Sequence, residues 1–306
     1  MNSLFLRIMG TSVLTALLWS ATLLAEHASV SKSKIKRTVI SEVGFATPES
    51  VEYYAAEDVY LVTNINGNSL AVDGNGFISK INPDGQVLEL KWIDGTKDGV
   101  LLNAPKGAEI QGDFLYVTDI DQVQVFKLPS GKQIASVTIK GSTFLNGITA
   151  GGSGFVYVTD SGFKAGKNGF ESSGTDAVYK VWASGQYELV FKDQNMGGPN
   201  GIVTKGKEIL LVTFGSGELF RIDETGQRHS MSKPPKGKLD GFLMLVDGRL
   251  LISSWAESAI YILNKDKTYS ILADSLDAPA DLGFDTKRNR VLVPLFKQNK
   301  VVFLSL

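Results

Sequence analysis

Six short hydrophobic runs recur along this chain, each broken off by Gly, Asp or Asn. They read "DVYLVTNI", "DFLYVTDI", "GFVYVTDS", "EILLVTFG", "RLLISSWA" and "RVLVPLF". Rich in Val, Ile, Leu, Phe and Tyr and too short for helices, they read as strands with turns between them. Ahead of each lies a weaker strand that opens on a turn triplet: "PES" (48–50), "PKG" (105–107), "LNG" (145–147), "PNG" (199–201), "LDG" (239–241) and "PAD" (279–281). The middle residues are Glu49, Lys106, Asn146, Asn200, Asp240 and Ala280, separated by 57, 40, 54, 40 and 40 residues. A unit of 40 therefore repeats, with inserts of 17 and 14 residues in the first and third intervals. Thirteen residues after Asn146, Asn200 and Asp240 stand Thr159, Thr213 and Ser253, each near the end of its hydrophobic run.

Six units of this length predict an all-β chain, a six-bladed β-propeller of four-stranded blades. The repeats of a β-helix are shorter. The last unit supplies only three strands, "ADLGFD", "RNRVLVPLF" and "NKVVFLSL", before the chain reaches Leu306. The segment "KRTVISEVGF" (36–45) is the expected fourth. An N-terminal strand would then close the last blade and leave no open sheet edge there. The inserts contain "INGNSLAVDGNGF" (65–77) and "GFKAGKNGFESSGTD" (162–176), Gly-, Asn- and Ser-rich loops expected to form rims or lids.

The N-terminus reads as an export signal. One early cation, Arg7, precedes an uncharged, mostly apolar stretch from Ile8 to Ala25 and then small residues. The expected organisation is a signal peptide over 1–28 with cleavage near 25–28, a leader over 29–35, and one propeller domain over 36–306. Export to a periplasmic or extracellular space follows, with no membrane span after removal of the signal. An uncleaved N-terminal anchor is the alternative, since the apolar stretch is near the lower limit for a span. The chain has no cysteine, which excludes a lipoprotein anchor, disulfides and thiol chemistry. With 31 basic and 32 acidic residues it implies no broad basic surface, so nucleic acid is not an expected partner.

In a propeller the first strand of every blade lines the central channel. The six triplets thus become one ring at one end of it, with Glu49, Lys106, Asn146, Asn200 and Asp240 as its polar members. Asn64, Asp119, Asp160, Phe214 and Trp255, near the ends of the second strands, are expected to rim it. Two carboxylates and two carboxamides without His or Cys form a hard-oxygen set. It suits Ca²⁺ first, then Mg²⁺ or Mn²⁺, with Zn²⁺ a poorer fit. A lysine about 6 Å from such an ion would be repelled by roughly 5 kcal/mol at an effective dielectric near 20. Lys106 must turn away, pair with a carboxylate or hold an anionic substrate.

The chain resembles the senescence-marker-protein/gluconolactonase/luciferin-regenerating-enzyme family. The resemblance covers about residues 40–306. It rests on Glu49, "LNG" before "FVYVTDSG", "PNGI" and "LDG". It implies a six-bladed propeller with one divalent metal in the channel, held by Glu49, Asn200 and Asp240, with Asn146 on the metal or substrate side. Family members are lactonases, related esterases or proteins of unknown activity. Two departures stand out. The family often reads Asn-Asp where this chain has Asn146-Gly147, and its usual Glu-Gly-Pro is replaced by "PES".

The expected function is a divalent-metal-dependent hydrolase of a small lactone or ester. Asp240 is the expected catalytic base, and Asn146, Lys106, Asp160 and Asp119 are the expected substrate-side residues. The alternative is a non-enzymatic propeller that binds a small ligand or a protein partner through its inserts. Histidine chemistry is nearly closed to the chain. His27 lies in the expected signal, which leaves His229 in a polar stretch, so a Ser-His-Asp triad or a pair of histidines cannot be built.

Overall fold

The computed structural model describes residues 35–306, apart from 153 and 168. The expected signal peptide and nearly all of the leader fall outside the described residues. Six four-stranded antiparallel sheets follow one another around a channel, and the described residues contain no helix. The inner strands of the first five blades are Pro48–Tyr54, Pro105–Gln111, Leu145–Ala150, Pro199–Lys205 and Leu239–Met244. The sixth blade is inner strand Gly283–Asp285, then Arg290–Leu295 and Lys300–Ser305, with Lys36–Ile40 as its outermost strand. The N-terminal segment thus completes the last blade, as the strand count predicts. Lys36 pairs with Ser305 and Ile40 with Val301.

The hydrophobic core is divided into six layers, one between each pair of neighbouring blades. Val51, Val62 and Tyr60 meet Leu292 and Phe303 at the seam where the ring closes. Tyr116 and Val125 meet Val156 and Val181 between the second and third blades. This explains the sequence pattern. Second strands such as Val59–Asn64 are buried at every position because each blade face is covered by a neighbour. The outer strand Tyr187–Lys192 has no buried position. Each buried Val, Leu, Ile or Phe contributes about 1.5–3 kcal/mol, so the inter-blade layers hold the ring together. Arg288 adds a bidentate pair to Asp58 across the seam, at 2.7 and 2.8 Å.

Backbone contacts between blades are tighter still. The hydroxyls of Thr63, Thr118, Thr159 and Ser253 donate to the carbonyls of Lys106, Asn146, Asn200 and Ala280, at 2.8, 2.6, 2.9 and 2.9 Å. Each acceptor belongs to the next blade's triplet. At the seam the Asp281 N–H donates to the Glu49 carbonyl at 2.9 Å. Thr213 departs from this pattern. Its hydroxyl instead lies 2.7 Å from the Ser216 hydroxyl and accepts from the Glu218 N–H at 2.8 Å. The insert of the third blade is more than a loop: Phe163–Gly166 and Gly169–Ser172 pair as a separate hairpin.

Candidate active site

A β-bulge at each of the first five inner strands sets which side chain enters the channel. Pro199 pairs with Thr213 and Ile202 with Leu211, so Asn200 and Gly201 together oppose Val212. The same extra residue recurs at Glu49, Lys106, Asn146 and Asp240. Such bulges re-aim a side chain. The sixth triplet makes only an isolated bridge, Pro279 to Leu295, and contributes the apolar Ala280.

The five polar residues are brought together. Glu49, Lys106, Asn146, Asn200 and Asp240 all line one pocket at this end of the channel, and each is at most 5% exposed. The pocket is partly open to solvent. Buried polar atoms are nearly always hydrogen-bonded, yet Glu49 Oε2, Asn146 Oδ1 and Asp240 Oδ1 have no partner. Burial pushes both carboxyl groups well above the usual carboxylate range. Glu49 is raised further by Asp240 and Asp281, and Asp240 by Asp281. The Asn200 carboxamide and the Trp255 indole offset part of the shift at Asp240. Among the described residues no three His, Cys, Asp or Glu side chains converge to hold an ion. What converges is two carboxylates with two carboxamides, and three orphaned oxygens fit a hard cation.

Lys106 turns to the wall. Its ammonium donates to the Ala104 carbonyl at 3.1 Å and lies 4.4 Å from the centre of the Phe144 ring. Burial lowers its pKa to about 8, against the fields of Asp119 and Glu49.

Asp119 and Asp160 do not line the pocket. Asp119 accepts from the Asn103 and Ala104 N–H groups at 2.9 and 2.7 Å. Asp160 accepts from Phe144 and Gly162 at 2.9 and 3.0 Å. Asn64 likewise accepts from Ala46 at 3.0 Å. All three hold the chain that leads into their own blade's inner strand. The reason is register. Pro48, Pro105, Leu145, Pro199 and Leu239 pair with Asn64, Asp119, Asp160, Thr213 and Ser254. Phe214 and Trp255 stand one residue later, and successive residues of a strand point to opposite sides. The expected rim therefore mixed two positions. The collar that faces the pocket is the later one and includes Ile65, Phe214, Trp255 and Phe296.

Phe144, Phe163, Phe170 and Phe296 complete the wall and were not anticipated. A signal existed for Phe296: it follows Trp255 by 41 residues, and Trp255 follows Phe214 by 41. The rings touch in sequence around the mouth. Phe163–Phe214, Phe214–Trp255 and Trp255–Phe296 have centroids 6.4, 5.1 and 5.0 Å apart, and Phe163 stacks on Phe170 at 5.7 Å. Ser69 of the first insert also lines the pocket.

The opposite end of the channel is acidic. Glu52, Glu109 and Asp281 line an opening there. Asp281 accepts from the Ser50 hydroxyl at 3.0 Å. Burial pushes Glu109 up to about 7, with help from Asp281. A carboxyl raised on folding favours the fold while protonated, and that contribution is lost as pH rises from about 4.5 through about 7. Glu109→Gln is therefore expected to raise the melting temperature at pH 8 and change it little at pH 5, as differential scanning calorimetry would show. His229 lies far out, on the outermost strand of the fourth blade, with Nε2 2.6 Å from Asp223 Oδ2.

Fold and site together define a six-bladed propeller with a polar-floored, aromatic-walled pocket on its axis. No family model matches the chain and no curated protein matches its sequence. Among solved structures it is similar to a gluconolactonase from Xanthomonas campestris, with TM-score 0.69 and 15% identity over 90% of this chain and 90% of that one. It is also similar to virginiamycin B lyase from Staphylococcus aureus, with TM-score 0.60 and 16% identity over 89% of this chain and 100% of that one. At such identities the likeness establishes the fold. Gluconolactonases are among the propellers that share it, in agreement with the motif resemblance.

Proposed function

We propose that this protein is an exported, divalent-metal-dependent hydrolase of a small lactone or ester. The observation that carries the reading is the set of three orphaned oxygens, on Glu49, Asn146 and Asp240, converging in one buried pocket. Glu49, Asn146, Asn200 and Asp240 would hold the ion, Ca²⁺ first. When bound, the ion supplies positive charge that polarises a carbonyl and stabilises developing negative charge. Asp240, on the floor of the pocket, is the group that would accept a proton from the attacking water. A bond forms from the water oxygen to the carbonyl carbon, the carbon–oxygen ester bond breaks, and the proton passes to the departing alkoxide. The hydrophobic N-terminal stretch supports export.

A histidine-dependent elimination has less support. The inactive form of the staphylococcal lyase is a histidine-to-alanine variant, whereas the one described histidine here, His229, lies on an outer strand away from the pocket. The test is metal analysis and assay of the protein purified without its leader. One divalent ion per chain is expected, with affinity falling more than roughly 100-fold in Glu49→Gln, together with hydrolysis within a broad lactone and ester panel. Full metal content without any hydrolysis overturns the enzymatic reading. Unchanged metal affinity in the variant overturns the assignment of the site.

A further inference from the structure

The polar groups of the pocket are distributed unevenly. Apart from Ser69, they all belong to the bulge ring at its base. Above that base stand six aromatic rings: Phe144, Phe163, Phe170, Phe214, Trp255 and Phe296. They form a connected series, since Phe144 also meets Phe163 and Phe170 at 5.7 and 5.3 Å. Two of the rings come from the hairpin inserted in the third blade. Phe170 at its outer strand is 52% exposed, an unusual placement for a phenylalanine and one that extends the apolar wall beyond the ring itself.

From this arrangement we infer that the substrate is a lactone or ester with an apolar ring for a body, an aryl or fused-aryl lactone, rather than a polyhydroxylated sugar lactone. The inference rests on the hydrolase reading of the same site. A carbonyl placed at the base meets Asn146, Asn200 and the indole side of Trp255. The rest of the molecule then lies among rings that offer edges and faces but no acceptors. A hydroxyl there would give up water and gain nothing, and a buried polar group without a partner is costly. One added hydroxyl in an apolar site already costs up to about 100-fold in kcat/KM. A sugar lactone carries several, with Ser69 the single wall group able to meet one.

The test compares dihydrocoumarin with glucono-δ-lactone on the metal-loaded protein, with 3,4-dihydro-2-quinolinone as a lactam that is not turned over. Hydrolysis of dihydrocoumarin with kcat/KM at least about 100-fold above that of the sugar lactone is expected. Phe170→Ala, at an exposed position that the fold tolerates, should raise KM for dihydrocoumarin about tenfold, a larger change than for the sugar lactone. Equal or better hydrolysis of glucono-δ-lactone overturns the inference and leaves the hydrolase reading standing. If neither lactone is hydrolysed but the lactam binds and Phe170→Ala weakens it, the ligand class holds and the hydrolase reading fails. If neither is hydrolysed and the lactam does not bind, the inference is overturned.

Discussion

Asp240→Asn is expected to stabilise the metal-free protein while removing the stabilisation that a divalent ion provides. The sign is the reverse of that for most buried substitutions. Asp240 and Glu49 are each 4% exposed, each leaves one oxygen without a partner, and their charges oppose one another. A near-isosteric carboxamide removes one of the two charges, and relief of unpaired buried charge is worth about 1–3 kcal/mol. For a domain of this size that corresponds to a rise of roughly 5 °C in melting temperature. The wild type should gain about 2.7 kcal/mol from Ca²⁺ at one hundred times its dissociation constant, and the variant almost none. Calorimetry with chelator and with Ca²⁺ checks both halves. A variant that melts lower than wild type in chelator, and still responds to Ca²⁺, would show that Asp240 serves the fold and not an ion.

Gly147→Asp is expected to disrupt the ring. The motif resemblance suggests that restoring the family's acid here would add a proton-transfer group. The packing forbids it. A Cβ on Gly147 would stand 2.2 Å from the Asn200 carbonyl oxygen and 2.9 Å from its carbonyl carbon. Both are backbone atoms of the next blade and cannot swing aside. Gly147 also donates its N–H to Thr159 at 2.9 Å, and that hydroxyl donates in turn to the same Asn200 carbonyl. Forcing the third and fourth blades apart costs more than about 3 kcal/mol. Loss of soluble, cooperatively melting protein is the expected outcome. A folded Gly147→Asp variant with wild-type melting and higher activity would contradict this account. Gly201 and Gly241 approach Asp240 and Ala280 in the same way, at 2.4 and 2.5 Å. The glycine that follows Lys106, Asn146, Asn200 and Asp240 is thus a consequence of blade spacing.

The ring was legible because a propeller repeats its burial pattern, and a spacing of 40 survives two inserts. The closing strand was legible by counting. The bulge residues were legible because one offset placed all of them at the same height. The collar was misread for a physical reason: a shift of one residue turns a strand's side chain to its opposite face, and "VTDI" and "VTFG" invite alignment on the wrong letter. The threonine spacing was visible, but its meaning was not, since the acceptor of Thr159 lies 41 residues away in the neighbouring blade. The hairpin was hidden by its composition. Gly, Ser and Asn around Phe163 and Phe170 signal a loop, and two phenylalanines there carry no period from which pairing or stacking could be inferred.

The seam of the sixth blade also sets an order of assembly. Lys36–Ile40 is made first, and its partner Lys300–Ser305 is made last. Five blades can form one after another as the chain grows, but they form an open arc. Its two free ends present apolar faces, with Val51 and Tyr60 at one and Leu251 and Ile260 at the other. The sixth blade covers both. Pairing of Lys36–Ile40 with Lys300–Ser305 therefore converts an apolar-ended arc into a closed ring, and it also brings Glu49 and Asp240, from the first and fifth blades, to one pocket.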